Sequence, residues 1–224
     1  MDRFAYLLLG LSLLAVWSLI YVTRRDLQRM MMRVSIVGAF AGILSEYWYF
    51  RDYWRPPLAI HWGNISLDDA IFGFAITGIS ASIVLWLTKK KSVQVTSGHP
   101  KIFLGLFCIC LALLILLCDV LHLQSIFVTS GLFLFCTVVM ISMRPDLLKL
   151  SILSGCITAL LIAPIYVVLS ALFPGYWQQY WLLAGTSVGG LLAPGIPGTE
   201  ILWYFSWGAF AGIASHFARG TAPR

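Results

Sequence analysis

Glu46, Asp68, Asp69 and Glu200 are the residues whose type and setting could do chemistry in this sequence. Each lies in or at the head of an apolar run. Asp68–Asp69 lead "DDAIFGFAI", and Glu200 leads "EILWYFSW" behind the stretch "GIPGT". An acid in the first turn of a helix caps free backbone N–H groups and meets the positive end of the helix dipole. That structural reading suits Asp68, Asp69 and Glu200. Glu46 resists it, because it lies inside its run, on one helical face with Gly42, Tyr49 and Phe50. A charge deep in a bilayer costs about 2.5–3.5 kcal/mol on insertion scales, and acids found there usually face a cavity and mark function. Carboxyls gathered in a dry site can keep a proton at neutral pH, and such a proton is available for acid catalysis. Counting on from Glu200, Trp203, Tyr204 and Trp207 share one face. Electron-rich rings stabilise a cation through their faces. Tyr49 and Phe72 are the ring-bearing candidates beside the other acids. Behind Asp69, the mostly small face of Phe72, Gly73, Ile76, Thr77 and Ser80 allows either close helix packing or room for a long ligand.

The elements that carry these residues are membrane helices. The chain has 224 residues, 60% of them hydrophobic and 11% charged, against roughly 25% charge in soluble domains. A helix needs about 20 apolar residues to cross a bilayer. Seven runs qualify: Phe4–Val22, Val34–Phe50, Ala70–Thr88, Ile102–Leu121, Ile126–Met143, Leu150–Phe173 and Ile201–Phe217. Leu182–Pro194 reads as a re-entrant or interfacial segment, and Pro164 as a kink in the sixth helix. Arg24 and Arg25 after the first run, with no small-residue cleavage site, mark it as a retained helix. Lys and Arg split three against twelve between the two sides. The positive-inside rule then puts the amino terminus outside the cytoplasmic membrane and the carboxyl terminus in the cytoplasm. The net charge of +6 is therefore a topological signal, not a nucleic-acid footprint. With that orientation all four acids lie near the outer end of the bundle. Trp54, Tyr176, Trp177 and Trp181 read as an interfacial aromatic belt, and Asp26 and Asp146 as loop partners of neighbouring arginines.

The chain repeats itself. "TRRDLQR" follows the first helix and "MRPDLLK" the fifth, "DYW" parallels "GYW", and each half ends in an acid-headed helix. The expected architecture is all-α: two parallel three-helix repeats, residues 1–91 and 126–217, joined by a linker helix at residues 102–121, in one membrane domain. Five cysteines lie in apolar runs without metal spacing and read as buried thiols. No histidine-rich or cysteine-rich metal cluster and no dinucleotide fingerprint occur, so no metal, flavin or nicotinamide is expected.

"EYW" before a proline-containing outer loop, "SLDDAIFGFAI" and "PGTEILWYF" together resemble the small all-helical lycopene cyclase family of bacteria and archaea, built from two homologous membrane halves. The resemblance runs through most of the chain. It departs from the family pattern at Thr199, where the first acid of a pair is expected, and at Asp68–Asp69, which lack the leading proline. It implies cyclisation of the linear ends of a carotenoid by protonation and carbocation ring closure, without net redox and without cofactors. Glu46, Asp68, Asp69 and Glu200 would handle the proton, and Trp203, Tyr204, Trp207, Tyr49 and Phe72 would line the substrate. The expected partners are a lipophilic isoprenoid or carotenoid, membrane lipid, and a second copy or membrane partner, but not nucleic acid. Two readings compete. One is a small transporter of three helices, a linker and three more helices; the Pro-Gln pairs of the small sugar carriers are absent. The other is a non-catalytic carotenoid- or lipid-binding accessory protein. A microbial rhodopsin would need a lysine in its last helix, and none is present.

Overall fold

A computed structural model describes residues 2–62, 65–187, 190–192 and 196–224. The order is α1 (Ala5–Thr23), α2 (Gln28–Asp52), a two-residue hairpin β1 (His61–Trp62) and β2 (Ile65–Ser66), then α3 (Leu67–Thr88) and β3 (Ser92–Gln94). There follow α4 (Pro100–Ile115), continued by one π-helical turn over Leu116–Val120, then α5 (Ser125–Met143), α6 (Leu148–Leu172) and the short α7 (Tyr176–Tyr180). A second hairpin, β4 (Leu191–Leu192) and β5 (Ile196–Pro197), leads into α8 (Gly198–Arg219) and β6 (Thr221–Pro223). The fold is all-α, and α1 to α6 provide six helices long and apolar enough to cross a membrane. The helix α8 is as long as α3, but Glu200, His216 and its tryptophans and tyrosine leave it short of that apolarity. It runs inside the bundle, packed on α3, α5 and α6, where it does not need a uniformly apolar surface.

Packing follows a simple plan. The helix α3 lies against α2 and α1, α8 lies against α6 and α5, and α3 and α8 lie against each other. Both seams are lined by small residues, which let backbones approach closely. A Cβ added at Gly42 of α2 would come 2.3 Å from the Asp69 carbonyl oxygen of α3. Added at Gly212 of α8, it would come 2.5 Å from Ser154 of α6. The face behind Asp69 therefore packs against helix and leaves no room for a long ligand. Ser154 Oγ donates to the Ser80 carbonyl oxygen at 2.6 Å, and the Ser80 and Thr158 hydroxyls lie 3.2 Å apart. These bonds tie α3 to α6 at mid-height, away from the acids. The helix α4 is peripheral, with only 11% of its most apolar stretch buried.

Each central helix has a defined start and stop. The Ser66 hydroxyl caps α3 by accepting the Asp69 N–H at 3.1 Å. The helix α3 ends at Lys89 and α8 at Gly220, both with positive φ. Beyond these ends β3 and β6 pair antiparallel, Val93 opposite Ala222. The tails of α3 and α8 thus lie together, and their heads also meet, as described below, so the two helices run the same way. At the tail end Arg24 pairs with Asp26 at 2.8 Å and Arg144 with Asp146 at 2.6 Å, as read from the sequence. The Arg24 hydrogen bond holds Asp26 below the usual carboxylate range.

Pro164 lies inside α6, which is one continuous helix. Two expectations need correction. Cys108 and Cys156 are exposed and Cys110 is half-buried, so only Cys118 and Cys136 are buried thiols. Trp54, Tyr176, Trp177 and Trp181 do not form an outward belt, because all are buried, at 9%, 2%, 4% and 3% exposure. The segment Leu182–Pro194 lies partly outside the described residues; its turns over residues 182–185 contain no helix.

Candidate functional site

The first acid group is assembled by α1, α2 and α3. Asp69 sits in the first turn of α3, where Tyr6 of α1 donates its hydroxyl to Oδ1. Glu46 of α2 reaches the same place and interacts with both Asp69 and Ser66. Both acids are buried, at 7% exposure for Glu46 and 5% for Asp69. Among the described residues neither Glu46 Oε1 nor Asp69 Oδ2 has a hydrogen-bond partner. Asp68, the other half of the sequence pair, has a different task. Its Oδ2 accepts the backbone N–H of Ala59 at 2.6 Å, so it braces the loop above the site. Among the described residues the Asp68 Oδ1 and the Tyr176 hydroxyl are buried without partners.

The second acid group centres on Glu200 in the first turn of α8. Tyr53, just past α2, donates to Oε1, and Tyr166 of α6 donates to Oε2 at 2.6 Å. Both carboxylate oxygens are therefore satisfied by phenols. The Thr199 hydroxyl lies 3.4 Å from the Tyr53 hydroxyl, and the Tyr204 hydroxyl lies 3.4 Å from that of Tyr166.

Rings join the two groups from two directions. On one side Tyr166 stacks on Trp177 at 4.4 Å, Trp177 on Trp54 at 5.7 Å, and Trp54 meets Tyr6 edge-on at 5.0 Å. On the other, Phe72 stands between Tyr6 at 5.9 Å and Trp203 and Tyr204 at 6.0 and 6.2 Å. The chain after α2 is also laced to the chain after α7. The Arg55 N–H donates to the Tyr180 carbonyl oxygen, and the Leu182 N–H to that of Tyr53, both at 2.8 Å. Glu46 with Asp69, and Glu200, thus lie at the same end of the bundle as two acid groups joined by packed rings.

The remaining candidates extend from these groups. Trp203 Nε1 donates to the Tyr49 hydroxyl at 2.7 Å, which donates to Thr129 at 2.9 Å. Trp203 and Trp207 stack nearly parallel at 5.8 Å, and Phe133 meets Trp207 at 4.9 Å. Trp207 Nε1 has no partner among the described residues. None of the ion pairs among the described residues involves Glu46, Asp69 or Glu200, and no three potential metal ligands are gathered there. Asp119 pairs with Arg51 at 2.5 Å, apart from these acids.

Sequence reasoning found the acids and the α8 rings but not Tyr6, Tyr53 and Tyr166, the phenols that hold the carboxyls. Tyrosines near helix ends in a membrane chain are common, and the choice among them is made only by the packing. No protein-family model matches the chain, and no curated protein and no solved structure matches it.

Proposed function

We propose that this protein is a membrane isomerase that closes a ring at the linear end of a carotenoid-like polyene. The observation that carries the reading is the two acid groups at one end of the bundle. Among the described residues Glu46, Asp69 and Glu200 have no cationic partner, and electron-rich rings flank them. Buried charge without compensation is strongly unfavourable, so the arrangement suits a proton donor and a transient cation better than a structural ion pair. One proton held between Glu46 and Asp69 would satisfy both of their unpartnered oxygens. In the reaction that proton adds to the terminal carbon–carbon double bond and leaves a carbocation. The next double bond attacks it, a ring closes, and a carbon–hydrogen bond breaks to give a proton back. The product is an isomer of the substrate, with no electrons gained or lost. Glu200, bonded by two phenols, suits the carboxylate that stabilises the cation or takes the returning proton. Phe72, Trp203, Tyr204 and Trp207 would face the cation.

An apolar groove of about 560 Å³ between α6 and α8 supports the reading. Gly198 and Ile201, on either side of Glu200, and Phe205 line it together with Cys156, Ala159 and Leu160. A long hydrocarbon could approach Glu200 along it from the lipid. The proposal includes seven crossings, α8 being the seventh, in the cytoplasmic membrane with the amino terminus outside. It also includes a parallel repeat of α1–α3 and α5, α6 and α8 about the linker α4. Matching hairpins, first-turn acids and paired tails at α3 and α8 support that repeat.

The test is expression in lycopene-accumulating cells, followed by pigment chromatography. Ring-bearing isomers that disappear with Asp69→Asn in a well-folded protein support the enzyme. Unchanged lycopene co-purifying with the protein favours an accessory binding protein and overturns the proposal. Neither pigment, with proton-coupled uptake in vesicles, points to transport.

A further inference from the structure

Away from the acids, the fold brings together one pair of reactive side chains. Cys110 of α4 and Cys136 of α5 place their Sγ atoms 3.1 Å apart, although 26 residues separate them in sequence. All five cysteines are free thiols, and this is the pair in contact among the described residues. Neighbouring rings fix its position. Phe103, two helical turns before Cys110, stacks on Phe210 of α8 at 6.3 Å. Phe133, one turn before Cys136, stacks on the same Phe210 at 5.6 Å. A single α8 ring thus bridges α4 and α5, two turns from Cys110 and one turn from Cys136.

We infer that Cys110 and Cys136 are a modification site, a thiol pair that closes to an intramolecular disulfide when a lipid-soluble two-electron oxidant such as a quinone reaches it. Two S–H bonds break and one S–S bond forms. The two protons and two electrons pass to the quinone, which becomes a hydroquinone. A disulfide bond is about 2.0 Å long, so the sulfurs approach by about 1 Å, a shift that peripheral α4 can absorb. The bond would pin α4 to α5 beside the Phe133–Trp207 contact. Cys136 is 5% exposed, so water-soluble thiols reach the bond poorly and reduction is slow. Cys108 and Cys156 are exposed, and Cys118 is buried in a separate cluster with Trp48 and Val128. None of these three has a sulfur partner among the described residues.

The experiment uses the full chain in lipid vesicles, treated with a short-chain quinone or with diamide. It is then denatured and labelled with a maleimide–polyethylene glycol. Labelled thiols should fall from the five present by two, and a reductant should restore them. Digestion should yield one linked peptide joining Cys110 to Cys136. Cys110→Ala and Cys136→Ser should each lose all protection from labelling. The first changes a half-buried position, so it serves even if the second misfolds. Full labelling after oxidation, or a linked peptide joining any other pair, overturns the inference.

Discussion

The heads of α3 and α8 are framed alike but equipped differently. Each follows a two-residue hairpin, carries an acid in its first turn and runs parallel to the other. Asp69 shares its place with a second carboxyl, Glu46, and receives one phenol; among the described residues each acid of this pair keeps an oxygen without a partner. Glu200 has Thr199 as its neighbour and receives a phenol on each oxygen. The difference teaches that framing fixes where an acid sits, while the surrounding donors fix what it can do. Two carboxyls with bare oxygens are completed by a proton. One carboxylate with two O–H donors is complete without one.

The largest effect is expected at the carboxyl pair. On the proposed function, Asp69→Asn should lower the cyclisation rate by about a hundredfold or more, since general acids contribute about 10²- to 10⁴-fold. The purified protein should keep its elution profile. Turnover measured in vesicles checks the first point and size-exclusion chromatography the second, and a rate close to the parent's would remove the pair from the chemistry. Glu200→Gln should cost less, about tenfold to a hundredfold, or about 1.4 to 2.7 kcal/mol at 1.36 per tenfold. If Glu200→Gln proves the more damaging change, the roles of the two groups are reversed. If it leaves the rate intact and lowers stability by about 1 kcal/mol, Glu200 is only a helix cap. Tyr166→Phe removes one donor from Glu200 Oε2, and denaturant titration should show a loss of about 1–3 kcal/mol. Trp207→Leu should slow turnover a few-fold with pigment binding retained, as absorbance of the purified complex would report. The smallest effect belongs to the tail end, where Asp26→Asn should cost under about 1 kcal/mol, as for other exposed pairs. Asp26 is held below its usual range by Arg24. Its contribution is therefore present at neutral pH and is lost as pH falls through that lowered value; growing stability on acidification would contradict the pairing.

The helices were legible because each apolar run is long and bounded by charge or turn residues, and α1 to α6 fall where those runs do. Glu46 was legible as an anomaly, since an acid inside an apolar run has few structural excuses. Asp68 was not, because its bond to the Ala59 backbone N–H depends on a loop whose path no periodicity encodes. Tyr53 stood within the "DYW" stretch, and its neighbour Trp54 read as part of an interfacial belt. A tyrosine bonding water at an interface and one bonding a buried carboxyl look the same in sequence. The 3.1 Å approach of Cys110 and Cys136 was equally hidden, because side-by-side contact of two helices leaves no spacing signature.

The modest apolarity of α8 bears on how the protein is made. On the seven-crossing proposal, a segment headed by Glu200 gains too little from lipid to insert alone, because an acid at depth is costly. It must enter the membrane against helices already there. Tyr53 and Tyr166, both synthesised earlier, would be waiting for its carboxyl, with Ser154 and Thr158 of α6 ready to receive the backbone of α8 at Gly212 and Gly208. The last helix would then insert as a client of the first six, and its arrival would complete the second acid group only after the rest of the bundle had formed.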